Sequence, residues 1–343
     1  MRIKNIFLLL FLSVTLYAFE AWHYIDKNYK FTTQKELQKE YDSHISPYFY
    51  KHKLHFFTTP DNIKIAYKIF LVKNSKGTIV ISSGRTEGMV KYQELIYDLN
   101  ANGYSVYILD HRGQGYSQRL VEDKQMGYVD NFFHYVDDLK FFVDNFVPKT
   151  KKRVLLAHSM GGAIASLYAE RYPDDFDALV LASPMHEPAL LLPSMSSFFC
   201  KVVEKKEHNL KRYIAGTQSY DILKYAFEEN DLTHSKERFE IMKKAYVKEP
   251  ETRIGGPSLK WLKEACRWSA ISIEKANLIK IPVLLIQGQE DTVVTAKAQE
   301  EFCKRVQKCK GVTIKGAKHE LFIEKDIFRQ KALSAILDFI AKI

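Results

Sequence analysis

Short runs rich in apolar and β-branched residues recur along the chain at 64–70, 78–82, 105–109, 153–157, 178–182, 283–287 and 312–314. Each is bounded by turn-forming residues, which predicts strands. Between them, the segments 91–102, 132–146 and 161–171 place apolar residues three and four apart, which predicts helices. Strand and helix in alternation imply an α/β fold, a mostly parallel sheet flanked by helices on both faces. The run 54–57 is expected to pair antiparallel with 64–70 through Pro60-Asp61-Asn62. The rhythm stops between residues 184 and 277, where no convincing strand occurs. An interval that long predicts a helical cap or lid inserted above the sheet. The expected layout is therefore a core of 54–183 and 278–343, a cap of 184–277, and an N-terminal arm of 19–53 that shows no clear period.

The first 18 residues change the picture. Arg2 and Lys4 precede an apolar stretch from Ile6 to Leu12, continued by Val14 and Leu16 and ending on Ala18. A charged start, a short hydrophobic segment and a small terminal residue predict a signal peptide, 1–18, and an exported, periplasmic protein. An uncleaved anchor in the inner membrane, or a buried first helix, is the alternative. No other apolar run approaches the ~18 residues of a membrane span. The 343 residues suit one large domain with an insertion. Hydrophobic residues at 46% and charged residues at 27% exclude disordered, collagen-like and coiled-coil chains. The net charge of +10 favours contact with an anionic membrane surface. Cys200, Cys266, Cys303 and Cys309 form an even set, compatible with two disulfides in an oxidising compartment. Cys303 and Cys309 could bridge a helix end to the following turn, which leaves Cys200 with Cys266. Buried thiols are the alternative, and the spacing does not resemble a zinc site.

The decisive segment is Arg153-Val-Leu-Leu-Ala-His158-Ser159-Met160-Gly161-Gly162. A strand runs into Ser159 and a helix pattern starts at once, the setting in which G-x-S-x-G forms a nucleophile elbow. Ala157 replaces the first glycine; Gly161 keeps the second. A serine needs a base to take its proton and a third group to orient that base. Asp291 follows the strand 283–287, and His319 follows the strand 312–314, in the order Ser, Asp, His. Such strand ends are where sites form in open α/β sheets. Glu290 competes for the acid role, and Asp291 could instead cap the next helix. Gly113-Gln114-Gly115 lacks the third glycine of a dinucleotide fingerprint, since Gln118 stands there. Asp110-His111-Arg112 is expected to organise neighbouring loops through buried pairs. Neither a cofactor nor a metal is implied, and Lys149-Thr150-Lys151-Lys152-Arg153 lacks the context of a nucleic-acid site.

With these motifs in place, the chain resembles the α/β-hydrolase superfamily, in particular its bacterial lysophospholipase and monoacylglycerol-lipase branch. The segments that carry the likeness span roughly residues 54–343. They are Ser83-Gly84-Arg85-Thr86-Glu87 with Lys91-Tyr92, Asp110 to Ser117, Tyr135-Val136-Asp137-Asp138-Leu139, and His158 to Gly162. Leu232-Thr233-His234-Ser235, Gly255-Gly256-Pro257 with Trp261, and His319-Glu320 complete the set. The resemblance implies a triad of Ser159, Asp291 and His319, and an oxyanion hole from the backbone N–H groups of Arg85 and Met160. Ser83 stands where this branch usually has histidine, a departure shared with lysophospholipase-like members. The Arg85 side chain either faces a substrate phosphate or pairs with Glu87, and the pairing is the expectation. Gly84, with Leu191, Met195 and Phe198 from the apolar stretch of the cap, is expected to contact substrate. The implied reaction is hydrolysis of lysophospholipid or monoacylglycerol through an acyl-enzyme. A lipid acyltransferase and a catalytically silent lipid-binding module are the alternatives.

Overall fold

The computed structural model describes residues 19–149, 152–190, 193–219 and 224–343. The leader 1–18 and Leu191 lie outside them. The predicted runs form eight strands and a short unpredicted one leads them, in chain order β1 (Glu20–Ala21), β2 (His55–Thr58), β3 (Lys64–Phe70), β4 (Thr78–Ser82), β5 (Ser105–Leu109), β6 (Arg153–His158), β7 (Ala178–Ala182), β8 (Val283–Gly288) and β9 (Cys309–Ile314). They form one sheet in the order β1-β9-β8-β7-β6-β4-β5-β3-β2. β2 and β3 pair antiparallel, as their linking turn predicts, and β3 meets β5 antiparallel; every other pair is parallel.

The helices are α1 (Gln34–Glu40), α2 (Ser46–Lys51), α3 (Gln93–Ala101), α4 (Phe133–Phe146), α5 (Met160–Arg171), α6 (Ser196–Glu204), α7 (Lys236–Lys248), α8 (Leu259–Glu274), α9 (Ala296–Arg305) and α10 (Asp326–Ala341). Period-two alternation sorts the strand residues between two cores. Val80, Leu155 and Leu285 face α4, α5 and α9 on one side, while Ile79, Ile81 and Leu284 face α3 and α10 on the other. Both faces of the central strands are buried, which is why those strands read as continuous apolar runs.

Residues 19–53 differ from the expected arm, because they fold onto the core. Glu20–Ala21 adds an edge strand to β9, and a side chain at Gly311 would run into the Phe19 ring. Leu37, Tyr41, Ile45 and Phe49 are all buried at four-residue intervals. A π-helical turn over Tyr41–Ile45 joins α1 to α2. That wider turn holds a stripe spaced by four on one face, a spacing that drifts around a regular α-helix.

The interval 184–277 holds α6, α7 and α8 and, among the described residues, no strand. Cys200–Cys266 ties α6 to α8, and Cys303–Cys309 ties α9 to β9, the pairing expected from the spacing. No described helix is long and apolar enough to cross a membrane.

Asp110, His111 and Arg112 organise loops, as anticipated. Asp110 accepts from the Met89 and Tyr116 backbone N–H groups at 2.6 and 2.7 Å. Burial raises its carboxyl to about 7 and lowers His111 to about 3, so His111 is a neutral partner of Ser82, 3.0 Å away. Arg112 grips Asp138 at 2.6 and 2.7 Å and Asp61 at 2.7 and 3.0 Å. Asp138→Ala would strand a buried guanidinium whose remaining partner is half exposed. We expect a loss of about 3–5 kcal/mol, read as a lowered thermal or urea midpoint. A midpoint matching the parent protein would contradict that reading of the pair.

Candidate active site

Four strands of the parallel run β9-β8-β7-β6-β4 each hand the chain to a site residue at the same edge of the sheet. Ser159 follows β6, Asp291 follows β8, His319 follows β9 and Arg85 follows β4. The carboxyl edge of the sheet thus gathers residues that are far apart in sequence.

Ser159 sits on the sharp turn between β6 and α5 with φ 51° and ψ −119°, a strained backbone for a residue with a Cβ. The strain is held from both sides. Its N–H donates to the Ala182 carbonyl at 3.1 Å, and its carbonyl accepts from Met185 and Gly162, both at 2.8 Å. The turn needs Gly161 because any Cβ there would collide with the Ser82 carbonyl. The Ser159 hydroxyl does not cap α5, and among the described residues it makes no hydrogen bond.

Asp291 does two jobs with its two oxygens. Oδ1 accepts from the Val293 and Val294 N–H groups of its own loop at 2.9 and 3.2 Å, while the next helix, α9, starts after Thr295, so Asp291 does not cap it. Oδ2 lies 2.7 Å from His319 Nδ1. Burial acts to raise this carboxyl, but His319 and the two N–H groups outweigh it and hold the group below its ordinary value. A carboxylate on Nδ1 fixes the tautomer that leaves Nε2 as the basic nitrogen. Glu290 is excluded from this role, since it points to His234 Nε2 at 3.3 Å and is largely exposed. The His319 ring lies 4.9 Å, centre to centre, from the ring of His158, the residue before Ser159.

The backbone N–H groups of Arg85 and Met160 have no acceptor among the described residues. Met160 opens α5, so its N–H also carries the positive end of that helix. Gly84 packs close behind: a Cβ on it would meet the Glu87 carboxylate and the Ser159 Cβ. The expected pairing of Arg85 with Glu87 is not made. Glu87 instead accepts from the Gly84 N–H, the Tyr92 hydroxyl and Lys91. The Arg85 guanidinium donates to the Gly255 carbonyl at 3.1 Å and lies over the Trp261 ring at 5.4 Å.

Sequence reasoning assigned no role to a buried charge network beneath the site. Lys91 Nζ lies 2.5 Å from both Glu87 and Glu320, and Glu320 Oε2 lies 3.2 Å from His158 Nε2. Burial opposes each charge, yet the partners prevail: Lys91 and His158 are raised, and Glu320 is held well below the usual carboxylate range. Because Glu320 directly follows His319, this network anchors the loop that carries His319. Glu87, His158 and Glu320 could by spacing gather a cation, but the Lys91 ammonium already supplies that charge. The appearance of Lys91-Tyr92 and His319-Glu320 among the family-like motifs was the available signal.

A cavity of about 1130 Å³ adjoins this network, with Arg85, Glu87, Lys91 and Glu320 among its lining residues and Tyr246, Arg253 and Gly255 contributed by the inserted interval. Met195 and Phe198 do not line it. They are 42% and 58% exposed, Met195 just before α6 and Phe198 on its outer face, while the Cys200–Cys266 bridge holds the inner face toward α8. The segments 216–219 and 253–257 line it instead. Their turn chemistry was legible only in Gly255-Gly256-Pro257.

These features define a serine-hydrolase type of site on an α/β-hydrolase fold. Residues 73–326 match the family model described as "Serine aminopeptidase, S33", and the chain belongs to that family. It is 38% identical over 293 residues to lysophospholipase L2 of Escherichia coli strain K12, covering 82% of this chain and 86% of the relative. It is 31% identical over 299 residues to the probable lysophospholipase L2 of Haemophilus influenzae, covering 86% and 94%. Among solved structures, a soluble variant of monoglyceride lipase from Saccharomyces cerevisiae superposes with a TM-score of 0.65 at 20% identity, covering 84% of this chain and 95% of that one. That last likeness concerns the fold.

Proposed function

We propose that the chain is a lysophospholipase that hydrolyses the carboxylic ester of single-chain phospholipids through an acyl-enzyme. The observation that carries the chemistry is the 2.7 Å contact of His319 with Asp291 beside the strained Ser159 turn. The similarity to the two lysophospholipase L2 relatives supports the substrate class. His319 Nε2 removes the Ser159 proton as Oγ attacks the ester carbonyl. The N–H groups of Arg85 and Met160 receive the developing oxyanion; one such donor contributes about 10²–10³ in rate. The imidazolium, steadied by Asp291, protonates the departing glycerophospho alcohol. Water then enters by the same base and releases a fatty acid.

Monoacylglycerol would react by the same steps, and a monoacylglycerol lipase of Mycolicibacterium smegmatis is 31% identical over 134 residues. A panel of lysophospholipid, monoacylglycerol, diacyl phospholipid and short soluble ester separates these readings. We expect the highest kcat/KM on lysophospholipid; a maximum on short soluble esters would overturn the lipid assignment.

The outer face of α6 supports a peripheral membrane role. Met195, Phe198 and Val202 are exposed together there, beside the exposed Lys201, Lys205 and Lys206. Apolar anchors ringed by lysines suit an anionic lipid surface. The leader-like residues 1–18 and the two disulfides support export to the periplasm.

A further inference from the structure

Most deeply buried guanidinium groups of this protein have carboxylate partners. Arg112 pairs with Asp61 and Asp138, Arg238 with Glu94 and Asp326, and Arg329 with Asp98 and Glu94. Arg119 distributes its donors over five carbonyls. Arg85 and Arg253, both partly buried, differ from these, and both line the large cavity. Arg85 gives one N–H to Gly255 and Arg253 gives Nε–H to the Tyr246 carbonyl at 2.7 Å; among the described residues neither meets a carboxylate. A guanidinium carries five donors, so both keep several for a ligand. Of the acids that line the cavity, Glu87 and Glu320 are already held by Lys91, and Glu229 makes no ion pair with either guanidinium among the described residues.

Burial lowers the Arg85 guanidinium to about 10, which leaves it charged at neutral pH in a place where a bare cation is costly. An anion arriving with the substrate would relieve that cost. We infer that Arg85 and Arg253 form the phosphate-reading end of the cavity and set the preference for glycerophospholipid over neutral glycerol esters. This rests on the lysophospholipase reading and adds the residues that read its headgroup.

The chain geometry suits that assignment. In this reading the Arg85 backbone N–H receives the ester oxygen, and its guanidinium carbon stands about six covalent bonds from that nitrogen. In a 1-acyl glycerophospholipid the phosphorus is also about six bonds from the ester carbonyl carbon. One residue can therefore touch the reacting carbonyl with its main chain and the phosphodiester with its side chain. Arg253 closes on the phosphate from the inserted interval, where its Nε–H is fixed on α7 through Tyr246. Monoacylglycerol offers these groups only a hydroxyl.

The test compares 1-oleoyl lysophosphatidylethanolamine with 1-oleoylglycerol on the full chain and on the Arg253→Gln, Arg253→Lys and Arg85→Gln variants. The lysophospholipid-to-monoacylglycerol ratio of kcat/KM should fall about ten-fold or more in both glutamine variants, chiefly through KM, with partial recovery in Arg253→Lys. A ratio within two-fold of the parent in Arg253→Gln overturns the proposal, as does an equal loss on both substrates. A second arm uses p-nitrophenyl butyrate as a neutral substrate and glycerophosphoethanolamine as competitor. The competitor should inhibit the parent and lose about ten-fold in potency against Arg253→Gln; no inhibition of the parent counts against the subsite. Inhibition of butyrate hydrolysis by a parent enzyme inactive on lysophospholipid would instead overturn the lysophospholipase reading and leave the anion site standing.

Discussion

Ser159→Ala is expected to lower kcat on lysophospholipid by about 10⁴–10⁶-fold and to abolish labelling by a fluorophosphonate. The residual rate comes from the Arg85 and Met160 donors and from substrate binding. Folding should survive, because alanine adopts the turn with no greater strain than serine and the backbone bonds to Ala182, Met185 and Gly162 remain. Circular dichroism and the thermal midpoint check that point. Undiminished labelling of a folded Ser159→Ala protein would remove Ser159 as nucleophile, and with it the mechanism.

Asp291→Asn should cost about 10⁴-fold in kcat with little change in KM. The carboxamide can still accept from Val293 and Val294, so the loop keeps these bonds. What it loses is the charge on Oδ2, and with it both the preference for the Nδ1–H tautomer and the stabilisation of the imidazolium. Glu290 offers no rescue, because His234 holds it away from the imidazole. If Glu290→Gln proved as damaging as Asp291→Asn on the same substrate, the acid assignment would have to be exchanged.

Much of this protein is legible along the chain. The parallel strands could be read because burial on both faces demands uninterrupted apolar runs, and the nucleophile turn because only a few residue types tolerate its backbone. The order Ser, Asp, His could be read because the parallel strands β6, β8 and β9 all end on one edge of the sheet. Residues 19–53 were less transparent, since a stripe at strict four-residue intervals drifts around a regular α-helix and falls equally on one face of a strand, until a π-helical turn settles it.

The side-chain partnerships could not be read in this way. Glu87 lies near Arg85 in sequence, yet Lys91, Tyr92 and the Gly84 N–H take it, and Arg85 turns to Gly255 and Trp261. Lys91 reaches Glu320 only because the loops after β4 and β9 meet above the same sheet. Likewise Met195 and Phe198 look like channel residues until the bridge between α6 and α8 turns them to the surface. Strand and helix periods are local properties, set by each residue's own backbone and by which face is buried. Which buried charge meets which depends on distances between loops, and those exist only once the sheet has brought its strand ends together.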